Sequence, residues 1–107
     1  MRPNTALAAP VFAALGDETR LHLVVRLTRH GAMSISALTE GVGITRQAVT
    51  KHLVVMQNAG LVSSRREGRE SLWQVEQRQI DAARACLDQI SKQWDEAISR
   101  LRDFVEH

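Results

Sequence analysis

Arg46, Gln47, Thr50 and Lys51 bring four kinds of hydrogen-bonding side chain into one six-residue stretch. Arginine and lysine pair with guanine or with phosphate, glutamine suits adenine, and threonine suits a thymine methyl group or a phosphate. Further on, Arg65, Arg66 and Arg69 surround Gly68. These cations suit phosphate or the minor groove, although Glu67 and Glu70 stand among them and can pair with them. No acidic residue lies between Gly41 and Arg66. A polar, cationic helix followed directly by an arginine-tipped ribbon suits duplex DNA. The helix fits the major groove, and the ribbon reaches phosphates beside it.

These residues need elements to hold them. At about 100° per residue, Arg46, Gln47, Thr50, Lys51 and Val54 share an arc of roughly 140°. Ala48, Val49, His52 and Met56 lie opposite, with Leu53 on the flank. Any surface helix shows such a split; here the polar side chains also gather in the first two turns, the part of a recognition helix that enters a groove. His52, on the inner flank, reads as a hydrogen-bonded structural histidine. Thr45 is the expected cap of this helix, which runs to about Ala59 with Gly60 at its end. Before it, Ser36 is expected to cap a short helix from Ala37 to Val42, with Gly43 in the turn and Ile35 as a short bridge strand. Two short helices joined through a glycine turn make a helix-turn-helix. After it, Leu61 to Arg65 and Ser71 to Val75 are candidate strands around a Gly68 tip.

The N-terminal elements read as helices. Pro10 is expected in the first turn of a short helix carrying Val11, Phe12 and Leu15 on one face and ending at Gly16. Asp17 caps the next helix, in which Leu21, Val24, Val25 and Thr28 follow the helical spacing, widened by Leu23 and Leu27, up to Gly31. The C-terminal segment, residues 78–106, contains neither glycine nor proline. Its apolar residues Ile80, Ala83, Leu87, Ile90, Trp94, Ala97, Leu101 and Phe104 alternate three and four apart, a heptad-like seam. The fold class is mainly α with a small β-hairpin, in one domain over residues 1–107, with residues 1–5 as a tail.

At 107 residues the chain has a modest core, and association with a second copy would add stability. Net charge is only +2, but its distribution is uneven. Residues 42–75 hold five bases and two acids, a net +3, while residues 76–107 hold five bases and seven acids, a net −2. The single cysteine, Cys86, allows no intramolecular disulfide and suits a reducing cytoplasm. Beside the apolar seam it reads as a small buried hydrophobe; a thiol that responds to oxidants or ligands is the alternative. The run from Ala6 to Leu15 is like a short signal peptide, but Pro10 interrupts it and it leads into a helix start. Ten residues are too few to span a bilayer, so no membrane partner is expected. No nucleophile–base pair, phosphate loop or metal cluster is evident, so neither an enzyme nor a bound cofactor is expected.

The segments ALGDETRLHLVVRL (14–27), ITRQAVTKHLVVMQNAGLV (44–62) and REGRESLW (66–73) resemble the ArsR/SmtB family of bacterial winged helix-turn-helix repressors. The similarity covers about residues 10–105. It implies a homodimer paired through the first and last helices, bound to a two-fold symmetric operator and released by a signal. It places the reading helix on Thr45 to Leu53 and the wing tip on Arg65 to Arg69. DNA contacts are then expected from Thr45, Arg46, Gln47, Thr50, Lys51, Arg65, Arg66 and Arg69. The dimer interface is expected from Val11, Phe12, Leu15, Leu87, Ile90, Trp94 and Leu101. Some relatives sense metals through a cysteine pair before the reading helix or through Asp and His pairs on the last helix. Here the first stretch is Ser36-Ala37-Leu38-Thr39-Glu40, and the last helix has carboxylates but no histidine before His107. Carboxylates without imidazole or thiolate make a poor transition-metal site, so no metal is expected and the inducer is unknown. The competing class is a winged-helix module that binds protein instead of DNA.

Overall fold

The computed structural model describes residues 5–106. Residues 1–4 of the expected tail, and His107, lie outside the described residues. The first helix, α1 (Thr5–Leu15), begins well before Pro10, which lies inside it on the exposed side. The expectation of Pro10 in the first turn is corrected. Alanines on either side favour helix, and burial of Ala8, Val11 and Ala14 offsets the one backbone hydrogen bond that proline removes.

The second helix, α2 (Glu18–His30), starts where expected. The Asp17 carboxylate accepts a hydrogen bond from the Arg20 amide at 3.0 Å, and Gly31 closes the helix with φ 77°. Its buried stripe is Leu23, Val24 and Leu27; Leu21, Val25 and Thr28 are exposed. The stripe therefore keeps Val24 but centres on Leu23 and Leu27, expected only to widen it, and leaves out Leu21, Val25 and Thr28. Both sets fit a helical period, and only the position of the core distinguishes them.

Strand β1 (Met33–Ser34) leads directly into α3 (Ile35–Thr39). The Ser34 hydroxyl accepts from the Ala37 amide at 3.2 Å, so Ser34, not Ser36, is the cap. One serine thus ends a strand and starts a helix. This moves α3 two residues earlier than expected and turns Ile35 into its first residue. Helix α4 (Arg46–Asn58) follows a turn with positive φ at Gly41 and Gly43.

Strands β2 (Val62–Glu67) and β3 (Glu70–Val75) pair antiparallel from Val62↔Val75 to Glu67↔Glu70. Both run closer to the tip than expected, leaving Gly68-Arg69 as a two-residue turn. Gly68 has φ 66°, the positive value that such a turn places at its first position. β1 adds to the free edge of β3, so the sheet order is β1-β3-β2. Leu23, Leu27, Leu38, Val49, Leu53, Met56, Leu61, Val62 and Trp73 form one core between the helices and this sheet.

Helix α5 (Gln77–Glu106) is 30 residues long. Ile80 and Ala83 pack on the core, and Cys86 is buried, as expected of a small hydrophobe. After Cys86, among the described residues only Gln89 and Ala97 are even half-buried; Leu87, Ile90, Trp94, Ile98, Leu101, Phe104 and Val105 are all exposed. Val11, expected at the dimer interface, has no exposed surface and belongs to the protomer's own core. It points inward because the core-facing residues of α1 recur three apart from Ala8. Phe12 and Leu15 are half-buried against the core. Among the described residues, no helix is long and apolar enough to cross a membrane.

Candidate nucleic-acid interface

Val49, Leu53 and Met56 anchor α4 in the core, each at 0% exposure. Their spacing of four and three fixes the opposite face outward. Arg46, Gln47 and Lys51 are exposed there, and Thr50 is half-buried. The Thr45 hydroxyl accepts from the Ala48 amide at 3.1 Å. That bond caps the helix and leaves the hydroxyl proton free for an acceptor such as phosphate. The Thr50 hydroxyl instead donates to the Arg46 carbonyl at 2.9 Å. Its proton is used within the helix, so the hydroxyl is not a free donor.

His52 is half-buried beside the start of α2. Its Nδ1 lies 4.0 Å from an Asp17 carboxylate oxygen and 3.5 Å from an Arg20 guanidinium nitrogen. Arg20 also donates through Nε to the Ala14 carbonyl at 2.7 Å. The cluster ties α4 to the α1–α2 junction. The hydrogen bond from the Arg20 amide holds the Asp17 carboxyl below its ordinary value, against some desolvation and with help from the charges of Arg20 and His52.

The wing separates its arginines by strand alternation. Arg65 pairs with Leu72, and Arg66 with Ser71, so the two arginines point to opposite faces of the hairpin. Arg65 donates to the Gln74 side-chain oxygen at 2.8 Å and lies 3.5 Å from the Glu67 carboxylate. Arg66 is on the face shared with Trp73, the face toward the helices. Sequence reasoning treated the three wing arginines as equivalent, and they are not.

Arg26 was missed altogether. Its guanidinium donates to the carbonyls of Leu38 at 2.7 Å, Ala37 at 3.0 Å and Glu40 at 3.2 Å. It closes the C-terminal end of α3, where the last carbonyls of a helix lack partners. The fork therefore fixes the turn that aims α4. An arginine flanked by Val25 and Leu27 was the available signal, but its partners lie more than ten residues away. Among the described residues, no three His, Cys, Asp or Glu side chains come together so as to hold a metal ion.

The arrangement has relatives. A family described as "Helix-turn-helix domain" matches residues 15–65. The HTH-type transcriptional regulator Rv2034 of Mycobacterium tuberculosis is 31% identical over 93 residues, covering 87% of this chain and 83% of that protein. A solved ArsR-like transcriptional regulator from Rhodococcus sp. RHA1 superposes with a TM-score of 0.76 at 34% identity, covering 92% of each chain. The fold is also that of a homodimeric winged helix-turn-helix DNA-binding domain from Mycobacterium bovis, with a TM-score of 0.64 at 24% identity and coverage of 87% of this chain and 88% of that one. With its capped helix α4, its β2–β3 hairpin in a three-stranded sheet and this kinship, the chain belongs to the ArsR/SmtB family of winged helix-turn-helix transcriptional regulators.

Proposed function

We propose that this regulator acts in the cytoplasm as a homodimeric repressor, without catalytic activity, on a two-fold symmetric operator. One observation carries the reading. The first two turns of α4 present Arg46, Gln47 and Lys51 to solvent on a surface with no acidic residue from Gly41 to Arg66. Gln47 and Lys51 face base edges, Arg46 takes guanine or phosphate, Thr45 lies near a phosphate, and Thr50 meets a thymine methyl group. Arg66 and Arg69 serve the backbone beside the groove. Arg65, already held by Gln74 and Glu67, contributes least.

The second copy is proposed to cover Leu87, Ile90, Trp94 and Leu101 of α5, with Phe12 and Leu15 at the edge. The homodimeric state of the Mycobacterium bovis domain supports this pairing. Two reading helices then sit about 34 Å apart, one turn of duplex, or a multiple of it. Repressor activity follows the family resemblance, and the signal that releases the operator has no assigned site.

The test begins with fragments of source genomic DNA selected by the protein. Arg46→Ala combined with Lys51→Ala should abolish gel-shift binding to the selected fragment while sedimentation still shows the dimer. Unchanged affinity would refute the assignment of α4 as the reading helix.

A further inference from the structure

Arg46 at the start of α4 and Arg66 and Arg69 of the wing line one cleft of about 230 Å³, together with the hydroxyl-bearing Ser34, Ser36 and Ser71. The cleft lies where the helix-turn-helix meets the hairpin. Among the described residues, none of these three guanidinium groups has a hydrogen-bonding or ion-pairing partner, whereas Arg20, Arg26 and Arg65 all have one. Glu70 also lines the cleft, leaving a net charge of +2 on its walls. Like charges crowded into one recess repel each other, and an anion seated among them reverses the sign of that energy.

The chemistry of the walls selects the anion. Guanidinium forks match tetrahedral oxyanions with two parallel hydrogen bonds, and serine hydroxyls can donate to the remaining oxygens. The recess is smaller than the roughly 300–1,000 Å³ of pockets that enclose drug-sized ligands, so it suits a single group better than a whole nucleotide. We propose that the cleft is a seat for one phosphate group of the duplex backbone, gripped at once by the helix-turn-helix and the wing. This rests on the DNA-binding reading above and deepens it. Arg46 then reads backbone instead of base, and Arg66 and Arg69 are separated in role from Arg65, which faces away. The seat accepts free phosphate by the same chemistry, so inorganic phosphate competes with DNA for it.

Full-length wild type, Arg66→Gln and Arg65→Gln are compared in two measurements at constant ionic strength. In the first, inorganic phosphate is titrated into DNA-free protein and followed by amide chemical shifts. Saturable shifts at residues 34–36, 46 and 66–71 are expected for wild type and Arg65→Gln, and none for Arg66→Gln. In the second, affinity for a selected duplex is measured in chloride and in phosphate buffers. Arg66→Gln should weaken binding roughly tenfold and reduce the salt slope by about 1, with a clearly smaller loss for Arg65→Gln. Phosphate should weaken the wild type more than chloride does. If the two variants weaken duplex binding equally, or phosphate fails to saturate, the seat is refuted and the DNA reading stands. If phosphate saturates but wild type binds no duplex, the DNA reading fails and the recess is an anion site of another kind.

Discussion

The two halves of this protomer treat their large apolar side chains in opposite ways. In the head, residues 5–86, eight large side chains are almost completely enclosed, among them Leu23, Leu38, Leu53 and Met56. Along α5 beyond Cys86, Trp94 is 67% exposed and Phe104 81% exposed. Fully covering one such side chain is worth about 1.5–3 kcal/mol. The head already has that stabilisation within one chain; the distal helix does not, and the proposed second copy would supply it. The polar residues proposed to face DNA belong to the self-sufficient half, so that surface forms within one protomer. The proposed dimer would add a second reading surface at a set distance.

The contrast is open to test from either side. The largest effect is expected in the head. Leu53→Ala should cost about 2–5 kcal/mol of stability in urea denaturation, because it leaves a cavity at a fully enclosed site. A loss below about 1 kcal/mol would show that the head is not closed on itself. Trp94→Asp should leave the head folded but weaken dimerisation about 100-fold in sedimentation, since it trades an apolar anchor for a charge in the seam. A dimer of unaltered strength would place the interface elsewhere.

Arg26→Ala sharpens the account within the head. It removes a donor to three carbonyls and should cost about 1–3 kcal/mol, with faster amide exchange in residues 40–45 than in the α5 seam. Uniform exchange changes would mean that Arg26 supports the fold generally and not this turn. The smallest effect concerns pH. The folded-state pKa of Asp17 is lowered, so its contribution is present above the ordinary carboxylate range and is lost as pH falls through the depressed value. The stability difference between wild type and Asp17→Asn should therefore shrink between about pH 5 and pH 2. A constant gap across that range would show that the charge is immaterial to the cap.

The most legible features were those encoded within a few residues. Asp17 and Thr45 cap their helices as expected, because an N-cap bond spans only three positions. Gly31 ends α2 and Gly68 forms the wing tip as expected, each with positive φ. The errors came where the third dimension decides. The stripe of α2 shifted toward Leu23 because only the assembled core says which helical face is inside. Ser34 displaced Ser36 as a cap because its backbone also completes a strand against Leu72. Val11 moved from the expected interface into the core for the same reason as the α2 stripe. Within the candidate site, the cations were found from their types. The contrast between Arg65 and Arg66 required strand register, and the Arg26 clamp required a contact between separate helices.

The head is proposed to grip duplex DNA through phosphate-facing cations and a reading helix. The most direct test is the affinity of the wild-type protein for a selected genomic fragment, followed from about 50 to 200 mM salt. Log affinity should fall linearly and steeply with log salt, as phosphate contacts release counterions. A flat response would contradict the account and favour a winged-helix surface that binds protein.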